Sequence, residues 1–106
     1  MAQIDYFFSV FSPWTYLAGD RLERIAAKHG ASISYKPLDV LALFDRTGGV
    51  RPAVRHPSRM AYRNQELERW AKHLGMEMIL KPTIYPPNAA PGSYAVIAAQ
   101  AAGGGD

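Results

Sequence analysis

The run "FFSVFSPWTYL", residues 7–17, constrains this chain most, because an apolar, aromatic stretch empties directly into Ser-Pro. From Ile4 to Val10 nearly every residue is apolar, the composition of a strand buried on both faces, where no polar side has to alternate. Ser12 then suits the N-cap of a helix, with Pro13 at the first helical position, where a missing N–H costs nothing. Trp14, Leu17, Ala18, Leu22, Ile25 and Ala26 recur at helical spacing, and Gly30, following Lys28 and His29, supplies a stop. The expectation is a single amphipathic helix.

Ser32 to Lys36 places Ile33 and Tyr35 on one side of a second strand, which Pro37 ends or confines to an edge. Residues 4–37 therefore read as a β-α-β unit with parallel strands and a right-handed crossover. Beyond it, "RTGGVRP" reads as a turn or loop. Ser58 is placed to cap a helix whose Met60, Leu67, Trp70, Ala71 and Leu74 form one apolar stripe, with Gly75 as its stop and Trp70 in the core. A short extended piece, "MEMILKP", leads to the Pro-rich loop "KPTIYPPNAAPG" and an alanine-rich helix from Asn88 or Ser93 to Ala102. Two parallel strands do not stand alone comfortably, so the chain reads as an N-terminal piece of a longer protein, or one completed by another polypeptide.

Composition narrows the function. At 106 residues and 48% hydrophobic, the chain is bounded to one modest globular domain. A formal charge of +3 without a long block of Lys or Arg argues against nucleic acid as a partner. With no cysteine there are no disulfides, thiolate metal sites, Cys nucleophiles or Cys-x-x-Cys pair, so any sulfur chemistry must use a sulfur from elsewhere. The start "MAQIDYFF" lacks the marks of a signal peptide, and no apolar run reaches the ~20 residues of a membrane span, so the default is a soluble, cytoplasmic protein with no membrane partner. His29, His56 and His73 match no metal-ligand spacing, and Asp39, Asp45, Glu66 and Glu68 form no catalytic carboxylate pair.

Ser12 has two readings. It is a simple cap, or it is a working group at a strand-to-helix junction, where unpaired N–H groups receive anions and polarisable atoms. Phe7, Phe8, Phe11, Trp14 and Tyr16 around it wall a pocket or belong to the core.

"FFSVFSPWTYLA" resembles the start of the kappa-class glutathione transferases and the 2-hydroxychromene-2-carboxylate isomerases, in the disulfide-oxidoreductase A-like branch of the thioredoxin-fold proteins. "HPSRMAYRNQELERWAKHLG" and "LKPTIYPPN" resemble the first part of the helical domain those proteins insert. The resemblance implies an α/β fold: a thioredoxin-like β-α-β part over 1–45, then the start of an inserted α-helical domain over 46–106, incomplete as it stands.

For function, the resemblance implies glutathione as cofactor and a small aromatic substrate, with a homodimer left open. Ser12 would hydrogen-bond the glutathione sulfur and favour its thiolate, while Phe11, Trp14 and Tyr16 would line the substrate pocket. Arg59 would pair with a glutathione carboxylate, against the alternative of a solvated arginine in the series Arg55, Arg59, Arg63. "TGGVRP" resembles the family's Thr/Ser-Gly-Asn-x-Pro-Pro loop, but Gly49 replaces the asparagine and Arg51 the first proline, which bears on the glutathione contact expected at Gly49. The reaction implied is cis-trans isomerisation of an unsaturated aromatic keto acid in aromatic-compound catabolism. A kappa-like transferase conjugating electrophiles and a truncated, non-catalytic fragment are the alternatives.

Overall fold

The computed structural model describes residues 2–80 and 88–103. It contains β1 (Gln3–Phe8), α1 (Pro13–Ala18), α2 (Arg21–Lys28), β2 (Ser32–Pro37), α3 (Val40–Arg46), a 3-10 turn (Pro52–Val54), α4 (Pro57–Leu74) and α5 (Ala90–Ala101). They group into two compact units, Met1–Asp39 with Asn88–Asp106, and Val40–Pro87. The division thus falls after Asp39 instead of at 45/46, and the alanine-rich helix goes with the β-α-β unit and not with the second half.

In the first unit β1 and β2 pair in parallel, with Tyr6 opposite Tyr35 and Phe8 opposite Pro37. Tyr6 stacks on Phe8 at 4.9 Å between ring centroids, and Tyr35 meets both edge-on. These rings, with Leu17 and Ala26 from the helices, make the core, in which fully burying a residue such as Leu17 is worth ~1.5–3 kcal/mol. The strand is not buried on both faces as expected. Ile4, Tyr6 and Phe8 turn inward, whereas Gln3, Asp5 and Phe7 stay exposed, Phe7 by 61% with the Lys36 ammonium 5.4 Å from its ring.

The crossover is two helices instead of one. Gly19, at φ 59° and ψ −135°, turns the backbone out of the helix, a conformation open to glycine at little cost. The Arg21 guanidinium then donates to the carbonyls of Leu17 (3.1 Å) and Ala18 (3.0 Å), satisfying two acceptors that the break leaves over.

In the second unit α4 buries Leu67 and Ala71. It ends at Gly75 (φ 65°), with Met76 N–H donating to Ala71 and Gly75 N–H to Lys72, the paired bonds of a Schellman cap. Its N-cap is His56, whose Nδ1 accepts from the Ser58 amide at 3.1 Å; Ser58, the expected cap, is the donor. Trp70 is 45% exposed, edge-on to His73, not in the core. Residues 76–79 form no strand, and most of the Pro-rich loop, 81–87, lies outside the described residues. The apolar spacing of Val40, Leu41, Leu43 and Phe44 makes the short helix α3, where no helix was expected.

Candidate functional site

The junction between β1 and α1 is built as the sequence predicts. Pro13 opens α1, and Ser12, extended at φ −71° and ψ 125°, is the N-cap. Its amide donates to the Ser9 carbonyl (3.3 Å), and its carbonyl accepts from Tyr16 N–H (3.2 Å), so the backbone around the hydroxyl is held from both sides. Ser12 Oγ accepts from Thr15 N–H at 3.4 Å, which is long for a cap. A hydroxyl that accepts still has a proton to give, and among the described residues that proton has no acceptor. Ser12 as a residue is half-buried.

The aromatic residues around Ser12 are not equivalent. Phe11 is half-buried, while Trp14 is 39% and Tyr16 49% exposed. Trp14 and Tyr16 are therefore not core residues; they present apolar surface outward on the helix that Ser12 caps. Sequence reasoning passed over Ser9, which is buried and whose Oγ has no partner among the described residues. The only signal in the sequence was the pairing of two serines three apart across the strand-to-helix turn.

Gly49 and Arg59 belong to the other unit. A Cβ on Gly49 would stand 2.5 Å from Phe44 Cδ1 and 3.1 Å from Phe44 Cα, so this position offers a ligand only backbone groups. Phe44 is fixed in turn by the Arg55 guanidinium, 5.6 Å from its ring, while Arg55 Nε donates to the Val50 carbonyl at 2.8 Å. Arg51 makes a two-point bond to Asp45, Nε to Oδ1 at 2.9 Å and Nη2 to Oδ2 at 2.5 Å. That hydrogen bonding holds the Asp45 carboxyl below its ordinary 3.8. Arg59 differs from these: it is exposed on the first turn of α4, and its guanidinium has no partner among the described residues. Arg55, Arg59 and Arg63 do not form one helical face, because Arg55 precedes the helix and is committed to the loop.

Residues 3–105 match the family described as DSBA-like thioredoxin domain. The chain belongs to that family. The parallel β1–β2 pair with its helical crossover is consistent with that α/β fold. The chain is 31% identical over 86 residues to a 2-hydroxychromene-2-carboxylate isomerase of Pseudomonas putida, covering 80% of this chain and 40% of that protein. It is 33% identical over 86 residues to a protein of the same name from Pseudomonas sp. (strain C18), covering 80% and 38% respectively. A solved 2-hydroxychromene-2-carboxylate isomerase structure superposes with a TM-score of 0.60 at 26% identity, covering 92% of this chain and 55% of that one. The matched stretch is about two fifths of the length of these curated relatives. Among the described residues, no helix is long and apolar enough to cross a membrane.

Proposed function

We propose that this chain carries the thiol-binding part of a glutathione-dependent isomerase of the 2-hydroxychromene-2-carboxylate type, acting in the cytoplasm in aromatic-compound catabolism. The observation that carries the reading is the Ser12 hydroxyl, held at the β1–α1 junction with no acceptor for its proton among the described residues, in a chain similar to isomerases of that name.

Glutathione, when bound, supplies a thiolate that adds to a conjugated carbon, so that the former double bond becomes single and rotates before the thiol is expelled. The residues present fit that group in part. Ser12 Oγ donates a hydrogen bond to the sulfur, lowering the cost of its charge, and a hydroxyl cannot be trapped as a mixed disulfide. The chain's lack of cysteine removes competing exchange. On the family resemblance alone, Arg59, which lies in the other unit and has no partner among the described residues, is assigned to a glutathione carboxylate, a group that a planar, always-charged guanidinium suits. Gly49 contributes backbone alone. Phe11, Trp14 and Tyr16 supply apolar contact for an aromatic substrate.

The test is a thermal melt of this chain with and without millimolar reduced glutathione, alongside Ser12→Ala. A ligand at ten times its Kd that binds only the native state stabilises it by about 1.4 kcal/mol, a shift of several degrees. Glutathione is expected to raise the parent's Tm and to leave that of Ser12→Ala unmoved. Equal shifts in both proteins would remove Ser12 from the site, and no shift in either would remove glutathione. Product analysis on a longer relative then separates the chemistries, because an isomerase returns glutathione and a transferase consumes it.

A further inference from the structure

Successive backbone groups of a strand point to opposite sides. On β2 the amides of Ser32 and Leu38 face β1, donating to Ala2 and Phe8, so residues 33, 35 and 37 turn theirs to the outer edge. Pro37 has no N–H, which removes one of these three positions. At the middle one, 65 residues distant in sequence, the Gln100 side chain of α5 approaches edge-on. Tyr35 N–H donates to Gln100 Oε1 at 2.7 Å, and Gln100 Nε2 donates to the Tyr35 carbonyl at 3.0 Å. A carboxamide has the donor and acceptor of a peptide group, so this contact reproduces what a neighbouring strand would offer at that position. α5 has no fully buried residue, and Gln100 lies on the face that it half-buries together with Ser93 and Val96.

We propose that Gln100 is an edge stopper: its carboxamide occupies the hydrogen-bonding position at Tyr35 that an added strand would use, and so keeps β2 from pairing with a second copy of the chain. An unprotected edge strand is a template for such pairing. Only Ile33 is left with an outward amide on this edge, too little for a ladder.

The test is backbone amide exchange by NMR, with sedimentation, on the parent, Gln100→Leu and Gln100→Glu. In the parent, Tyr35 N–H is protected about as well as Leu38 N–H, which lies in the ladder, while Ile33 N–H exchanges freely. Gln100→Leu lowers Tyr35 protection by roughly tenfold or more towards that of Ile33, leaves Leu38 unchanged, and raises self-association. Unchanged Tyr35 exchange overturns the proposal, as does an exposed Tyr35 amide in a chain no more associated than the parent. Gln100→Glu guards against simple loosening of the fold. Its ionised carboxylate still accepts from Tyr35 N–H but repels the Tyr35 carbonyl to which it cannot donate, which loosens the contact, whereas the protonated acid both donates and accepts. Tyr35 protection relative to Leu38 therefore returns as the pH is lowered through the carboxyl range. Glu23 accepts from the Tyr35 hydroxyl at 3.0 Å, so the parent at each pH is the control. Failure of acid to restore protection overturns the peptide-mimic contact.

Discussion

Gly49→Ala tests the loop logic of the second unit, because the cost there is one of space. Gly49 is not among the glycines with positive φ, so alanine meets no backbone penalty. Replacing glycine by alanine at such a site gains ~0.4–1 kcal/mol by restricting the unfolded chain. Against this, the new Cβ would lie 2.5 Å from Phe44 Cδ1 and 3.1 Å from Phe44 Cα. The ring can swing aside only by leaving its place under the Arg55 guanidinium, and the Cα cannot swing at all. Overpacking costs ~1–3 kcal/mol and a lost exposed cation–π contact ~0.5–1 kcal/mol. The net is a destabilisation of about 1–3 kcal/mol, and Gly49→Asn, with a larger side chain to place against Phe44, is worse still. Urea denaturation of Gly49→Ala, Phe44→Ala and the double variant measures it, since the cycle isolates the ring's share. The Gly49 substitution is expected to cost markedly less when residue 44 is alanine. A Gly49→Ala protein as stable as the parent, or a coupling near zero, refutes the steric reasoning.

Arg51 lowers the pKa of Asp45 relative to the unfolded chain, so the pair's contribution is present above the ordinary carboxylate value of 3.8 and is lost as the pH falls through the lowered folded value; Arg51→Ala should flatten that acid limb of a stability-versus-pH curve. Tyr35→Phe removes the hydroxyl that donates to Glu23 Oε1, while Glu23 Oε2 is already buried without a partner among the described residues, and should cost about 1–3 kcal/mol by denaturation. Gly75→Ala forces a Cβ into the left-handed cap of α4 and should cost about 1 kcal/mol, read as lost protection at Met76 N–H.

Much of the local structure was legible because its causes are local. The Ser12 cap with Pro13 behind it, the second strand and the Gly75 stop each depend on residues within a turn of one another. The break at Gly19 was not legible, since the apolar spacing from Leu17 to Ala26 runs on either side of it and a glycine inside such a pattern reads as tolerated. The cap of α4 was misread because Ser58 has the commoner capping side chain, whereas His56 works only through its ring Nδ1. Short and followed directly by "RTGGVRP", α3 lacked the two turns of periodicity that would have announced it.

Exposure was harder to read than secondary structure, for a physical reason. Periodicity says which residues share a face, and only the rest of the molecule decides whether that face is covered. Phe7 and Trp70 are side chains of core type and are 61% and 45% exposed, while Ser9, which looks like a turn residue, is buried with its hydroxyl unpaired among the described residues. The same argument applies to Gln100. Nothing within ten residues of it predicts a role, because its partner is the backbone of a strand 65 residues away. A contact made to backbone also leaves little trace in the partner's identity. Tyr35 supplies only its amide and carbonyl to that bond, and any residue other than proline would supply the same. Tyr35→Phe should therefore leave the Gln100 clamp intact while breaking the bond to Glu23. Amide exchange at position 35 that stays slow in this variant, together with a lowered global stability, separates the two interactions made by one residue.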